Sequence, residues 1–144
     1  MRAVHILLVE DNEGDVLLTQ EAFENAKVSN KISVVRDGQE AINFLNKEGV
    51  YINESEPDFL LLDINLPKRN GIEVLQFIKE DVNLRHIPVI MLSTSCADKD
   101  IMSSYEHHAN CYITKPLNVE KLFNVISQIQ DFWFSIVKLP FGNN

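Results

Sequence analysis

The chain has 144 residues, 45% of them hydrophobic and 24% charged, which is the composition of one globular domain able to bury a proper core. Its net charge of −8 argues against nucleic acid as a partner, since that binding needs a basic face. No apolar run reaches transmembrane length, and Met1-Arg2-Ala3 passes straight into a strand pattern, leaving no room for a signal peptide. A cytoplasmic protein without membrane attachment is therefore expected, with Cys96 and Cys111 as buried reduced thiols rather than a disulfide.

Val4-His5-Ile6-Leu7-Leu8-Val9 is a buried-strand pattern that ends in Glu10-Asp11. Asn12 is a plausible N-cap for a helix with Leu18, Ala22 and Ala26 on one stripe and Val16 and Phe23 beside it. Ile32-Ser33-Val34-Val35 reads as a short strand. Asp37 and Glu40 have capping-box spacing and open a helix that turns Ala41, Ile42 and Leu45 inward. Residues 47–57 form a polar, acidic loop. Residues 58–62 are the central strand, whose apolar run Phe59-Leu60-Leu61-Leu62 reads as buried on both faces. Asp63 follows it directly. Pro67 and Gly71 bracket a turn, and a helix with Val74, Leu75 and Ile78 on one face comes next. Pro88-Val89-Ile90-Met91-Leu92 is a fourth strand closed by Ser93-Thr94-Ser95. Residues 98–108 are weakly helical, residues 110–114 read as a fifth strand ending at Lys115-Pro116, and a last helix starts near Asn118. Strict alternation of five strands with five helical segments predicts an α/β fold around a parallel sheet.

In such a sheet all the strand ends point the same way. Glu10, Asp11, Asp63, Ser93 and Lys115 would then converge on one rim, where open α/β sheets bind ligands. Three close carboxylates repel one another unless a cation joins them. Oxygen ligands with no His or Cys among them favour magnesium, which keeps waters and commonly meets a phosphoryl oxygen. Lys115 would suit the other side of that group as a point charge. An aspartate so placed can itself be a nucleophile that forms an aspartyl phosphate. Each residue also has a plainer reading. Asp63 could cap the following loop, Glu10 and Asp11 could dress a helix N-terminus, Ser93 could be a helix cap and Lys115 a solvated side chain. That all five fall at strand ends by chance is the weaker account. His107-His108 makes a poor chelate because adjacent helical residues point apart. His5 is expected beside the acidic rim, and His86 in a loop before Pro88.

Val9-Glu10-Asp11, Leu62-Asp63-Ile64-Asn65-Leu66-Pro67 with Gly71 eight residues after the aspartate, Pro88-Val89-Ile90-Met91-Leu92-Ser93 and Tyr112-Ile113-Thr114-Lys115-Pro116 together resemble the CheY-like receiver domain of bacterial two-component response regulators. The resemblance covers roughly residues 4–130. It implies a doubly wound, flavodoxin-like sheet of order 2-1-3-4-5, with two helices on one face and three on the other. It also implies a cis Lys115-Pro116 bond. By position, Asp63 corresponds to the phosphoacceptor and Asp11 to the direct Mg2+ ligand. Glu10 corresponds to the second acid, which usually holds the ion through water, and the Asn65 main-chain carbonyl to a further ligand. Ser93 and Lys115 match the groups that bond the phosphoryl, and Tyr112 the aromatic that turns inward as Ser93 shifts. The implied protein is a signalling receiver rather than an enzyme. It is phosphorylated by a histidine kinase and switches the surface made by its fourth helix, fifth strand and fifth helix. No output domain is expected to follow.

Two features depart from the plainest receivers. The acidic loop 47–57 is long. The apolar spacing of Val119, Leu122, Ile126, Ile129, Trp133 and Ile136 also continues past residue 130, where the domain should be complete. Residues 119–129 are expected to pack on the domain's own sheet. Residues 131–144 are expected to form an interface, as a helical seam or as an extended arm carrying Phe132, Phe134 and Ile136. These features resemble the small regulators that pair with phytochrome-type histidine kinases, and a homodimer through the switching surface and this extension is expected, with a monomeric phosphate shuttle as the alternative. The rival readings are a magnesium-dependent phosphohydrolase and an interaction module that needs no phosphorylation. The first usually carries a second Asp where this chain has Asn65, and the second would suit a chain lacking the acidic pair or Lys115.

Overall fold

The computed structural model describes residues 3–25, 29–93, 98–109 and 111–114. Five strands lie in one sheet: β1 (Val4–Val9), β2 (Asn30–Val35), β3 (Phe59–Leu62), β4 (Val89–Ser93) and β5 (Cys111–Thr114). Their order is β2-β1-β3-β4-β5 and every pairing is parallel, as the alternation predicted. The connecting helices are α1 (Glu13–Glu24), α2 (Gly38–Leu45), α3 (Gly71–Glu80) and α4 (Asp98–Glu106). The last helix expected from residue 118, the Lys115-Pro116 bond and the boundary near residue 130 lie outside the described residues, as do Ala26 and Cys96.

The central strands alternate between two cores, which is why Phe59–Leu62 and Val89–Leu92 are apolar throughout rather than at every second position. Leu7, Val9, Leu60 and Leu62 face Ala41, Phe44 and Leu45 of α2 and Val74, Leu75 and Ile78 of α3. Ile6, Leu8, Phe59 and Leu61 face Val16, Ala22 and Phe23 of α1. Each of the buried Val, Leu, Ile and Phe side chains contributes about 1.5–3 kcal/mol relative to exposure.

α1 and α2 start where the sequence placed their caps. Asn12 and Asp37 accept the backbone N–H of Asp15 and Glu40 respectively. Asn70 and Glu73 close a full capping box at the start of α3. The loop 47–57 is more ordered than its composition suggests. It contains a 3-10 turn at Gly49–Tyr51, and Tyr51 packs against Phe44 and donates to Glu40 Oε1 at 2.6 Å.

His5 departs from expectation. It sits near the start of β1, about 16 Å along the strand from Glu10 at ~3.3 Å per residue, and so lies toward the opposite end of the sheet from the acidic rim. There it is buried between the hydroxyls of Ser33, 2.8 Å from Nε2, and Ser55, 3.0 Å from Nδ1. Its backbone N–H donates to Asp58 Oδ2 at 2.8 Å. The side chain thereby fastens the loop 47–57 to the sheet.

Candidate phosphoryl-acceptor site

The strand order reverses direction between β1 and β3, so their C-terminal ends flank a crevice. The register pairs Val9 with Leu62, which leaves Glu10 and Asp63 level as the chains leave the sheet. Asp63 N–H still donates to Val9 O at 3.1 Å, and Glu10 N–H to Val35 O at 3.0 Å, so both backbones are held as the strands end. Glu10, Asp11 and Asp63 each bring a carboxylate oxygen to within 4.8 Å of the others. Glu10 and Asp63 are buried, at 2% and 7% exposure, while Asp11 is open to solvent.

Some of the plainer sequence readings are realised at the same atoms. Asp63 Oδ1 accepts the N–H of Asn65 at 3.0 Å, and Glu10 Oε2 accepts that of Asn12 at 3.2 Å. These bonds fix the carboxylates' orientation and therefore serve the cluster as well as the loops. Asn65 is exposed on the loop that leaves the site. That loop is tight: Gly71 N–H donates to Ile64 O at 2.7 Å, and a Cβ on Gly71 would stand 2.1 Å from Asp63 O. Only glycine lets the start of α3 come so close to the backbone of Asp63.

Ser93 is the last residue of β4 rather than the first beyond it, because it still pairs with Thr114 of β5, and it is fully buried. Tyr112 is half-buried against the α2/α3 core, and its N–H donates to the hydroxyl of Tyr105 on α4 at 3.1 Å. Lys115 lies outside the described residues. The structure thus brings Glu10, Asp11 and Asp63 into one cluster, with Asn65 on the adjoining loop and Ser93 and Tyr112 on the neighbouring strands.

The response regulator receiver domain model matches residues 6–127. The chain belongs to the response-regulator receiver family. As a receiver it is a signalling domain whose family implies a histidine kinase as partner. It is 44% identical over 135 residues to response regulator Rcp1 of Synechocystis sp., covering 94% of this chain and 92% of that protein. Among solved structures it is similar to the phosphorylated cyanobacterial phytochrome response regulator RcpA, with a TM-score of 0.91 and 50% identity over 96% of this chain and 99% of that one. It is also similar to the Mn2+-bound form of Rcp1, with a TM-score of 0.88 and 43% identity over 95% and 99% of the two chains. The receiver is therefore related to phytochrome response regulators, and its acidic cluster fits the divalent metal that receivers bind. Three carboxylates and no sulfur or imidazole form a hard, oxygen-only donor set. Among the described residues no helix is long and apolar enough to cross a membrane.

Sequence reasoning gave Asp37 its capping role but missed what Arg36–Gln39, where β2 passes into α2, reach across the fold. Arg36, exposed, clasps Glu13 through two 2.8 Å contacts from Nη1. The side chains of Asp37 and Gln39 and the backbone of Gly38 reach the loop 67–69. No periodicity or motif signals such a role, because the contacts join residues far apart in the chain.

Proposed function

We propose that this receiver accepts a phosphoryl group on Asp63 from a histidine kinase, with Mg2+ at Glu10, Asp11, Asp63 and the main-chain carbonyl of Asn65. The convergence of the three carboxylates at the β1/β3 crevice carries this reading. A carboxylate oxygen of Asp63 attacks the phosphorus of a phosphohistidine. The new O–P bond forms as the P–N bond breaks, and the imidazole nitrogen leaves with the electron pair. A divalent ion held by these carboxylates would supply positive charge against the phosphoryl oxygens. The bonds from the Asn65 and Asn12 N–H groups hold Asp63 and Glu10 in place beforehand, so little reorganisation is needed.

Ser93 and Lys115 then bond the new phosphoryl, and Tyr112 turns inward. This biases a two-state surface around α4 and β5 and the helix expected after Lys115. The burial of Ser93 and the tie between Tyr112 and α4 support that route. We assign residues 1–130 to the receiver and 131–144 to an interface, and place the protein in the cytoplasm as a homodimer through the α4-β5 surface and this extension. The relationship to phytochrome regulators supports a phytochrome-type kinase as the partner. The protein is a phosphoryl acceptor with slow self-dephosphorylation, not a turnover enzyme. Asn65 stands where a phosphohydrolase would carry a second acid.

The test is intact mass after incubation with a small acyl phosphate and then with a cognate kinase, with and without Mg2+, beside Asp63→Asn. The expected result is a Mg2+-dependent gain of one phosphoryl that Asp63→Asn abolishes, with a change in elution on a sizing column. Failure to gain phosphoryl from either donor refutes the reading and favours an interaction module. Steady hydrolysis of the small ester favours a phosphohydrolase.

A further inference from the structure

The two halves of the acidic cluster leave the sheet on different loops, and one short segment touches both. Glu10 and Asp11 lead into Glu13 at the start of α1, and Asp63 leads into residues 64–70 before α3. Residues 36–39 lie between them. Arg36 Nη1 contacts both carboxylate oxygens of Glu13 at 2.8 Å. Asp37 Oδ2 lies 3.7 Å from Lys68 Nζ while its other oxygen caps α2. Gly38 N–H donates to Pro67 O at 3.4 Å, and Arg69 Nε–H donates to Gln39 Oε1 at 3.3 Å. Four consecutive residues thus contact the flank of one site loop or the other, although none of them belongs to the cluster.

The polar contacts are exposed or long and individually weak. The backbone contact is not. A Cβ on Gly38 would stand 1.9 Å from Arg69 O and 2.7 Å from its carbonyl carbon, so any side chain must drive the loop 67–69 away from α2. The loop is also held in a costly shape. Lys68 has φ +66°, the left-handed region that a lysine rarely adopts, and such a conformation persists only where its surroundings impose it.

We infer that Arg36–Gln39 is a positioning brace that fixes the Asp63–Asn65 loop against the Glu10–Asp11 loop, with the close approach of Gly38 to Arg69 setting the affinity of the metal site. The inference rests on the metal site proposed above. It assigns a role toward that site to residues that touch neither the metal nor the phosphoryl group.

The test is a Mn2+ titration of the full chain, read by the paramagnetic resonance of the free ion. It compares wild type, Gly38→Ala and Ile78→Ala, the last being a core variant that loses stability on α3 outside the site. Gly38→Ala should weaken Mn2+ binding at least ten-fold, while Ile78→Ala stays within two-fold of wild type. A Kd for Gly38→Ala no weaker than that of Ile78→Ala overturns the brace. If Gly38→Ala does not fold, the double variant Arg36→Ala/Gln39→Ala decides. Its Kd should rise about three-fold, and an unchanged Kd overturns the brace. A wild type that does not bind Mn2+ refutes the reading of the site and the brace with it. A wild type that binds beside an unchanged variant refutes the brace alone.

Discussion

Asp11 and His5 show opposite uses of a titratable side chain in one small sheet. Asp11 is exposed, yet its carboxylate shares a narrow space with two buried ones. Like charges so close cost stability until a cation offsets them. Asp11→Asn should therefore raise the melting temperature of the metal-free protein while abolishing the further rise expected of the wild type on adding Mg2+. Scanning calorimetry with and without MgCl2 reads both effects, and a metal-free variant that melts below wild type contradicts the repulsion argument. His5 is buried among the hydroxyls of Ser33 and Ser55, with Lys31, Glu54 and Asp58 as its charged neighbours. Burial first, then the charge of Lys31, pushes its pKa below the ordinary 6.5. The unfolded chain then binds the proton more readily than the folded one, so stability rises with pH across this range. His5's contribution is fully present above pH 6.5 and is lost as pH falls through its lower folded value. In urea melts between about pH 7.5 and 5.5, His5→Gln should show a flatter pH dependence than wild type, and identical slopes would exclude His5 as the cause.

At the scale of elements, α1, α2 and α3 each begin with a side chain that caps the first turn. α3 starts with the reciprocal bonds of Asn70 and Glu73, 3.0 and 3.1 Å long, immediately after the loop that carries Asn65. Loss of the cap in Asn70→Ala should cost about 1 kcal/mol, seen as a lower urea midpoint at unchanged slope. A change in slope would mean that the cap shapes more than the end of one helix. Lys79, near the C-terminus of the same helix, donates to the carbonyls of Arg85 and Ile87 at 3.0 and 2.7 Å, and its burial lowers its pKa. Those bonds hold the chain as it enters β4, the strand that ends in Ser93. The loop after Asp63 and the strand that ends in Ser93 are thus linked through the two ends of α3.

For the whole molecule, the parallel sheet is what turns scattered acids into one site. Its order places the β1/β3 crevice near the middle of a sheet covered on one face by α1 and on the other by α2 and α3, so that carboxylates can converge over an apolar floor. A ligand held by the folded state alone stabilises it by mass action, so Mg2+ at a hundred times its Kd should add about 2.7 kcal/mol to wild-type stability. Such linkage would make the proposed metal site a global property even though it is built from a few residues.

Much of this was legible in the amino-acid sequence because the governing physics is local. Runs such as Phe59-Leu60-Leu61-Leu62 mark strands buried on both faces, Asn12 and Asp37 mark helix starts, and strict alternation dictates a parallel sheet whose ends share one rim. Hence Glu10, Asp11 and Asp63 could be named together before any coordinate was known. The rest depended on partners distant in the chain. Whether His5 lay by the rim or toward the far end depended on counting along β1 and on which hydroxyls the folded loop 47–57 delivered to it. That residues 36–39 brace both site loops depended on Gly38 meeting the backbone of Arg69, a contact with no periodicity and no motif. Burial and capping act between near neighbours and leave a pattern in the sequence, whereas close packing of two loops is decided only when the sheet has brought them together.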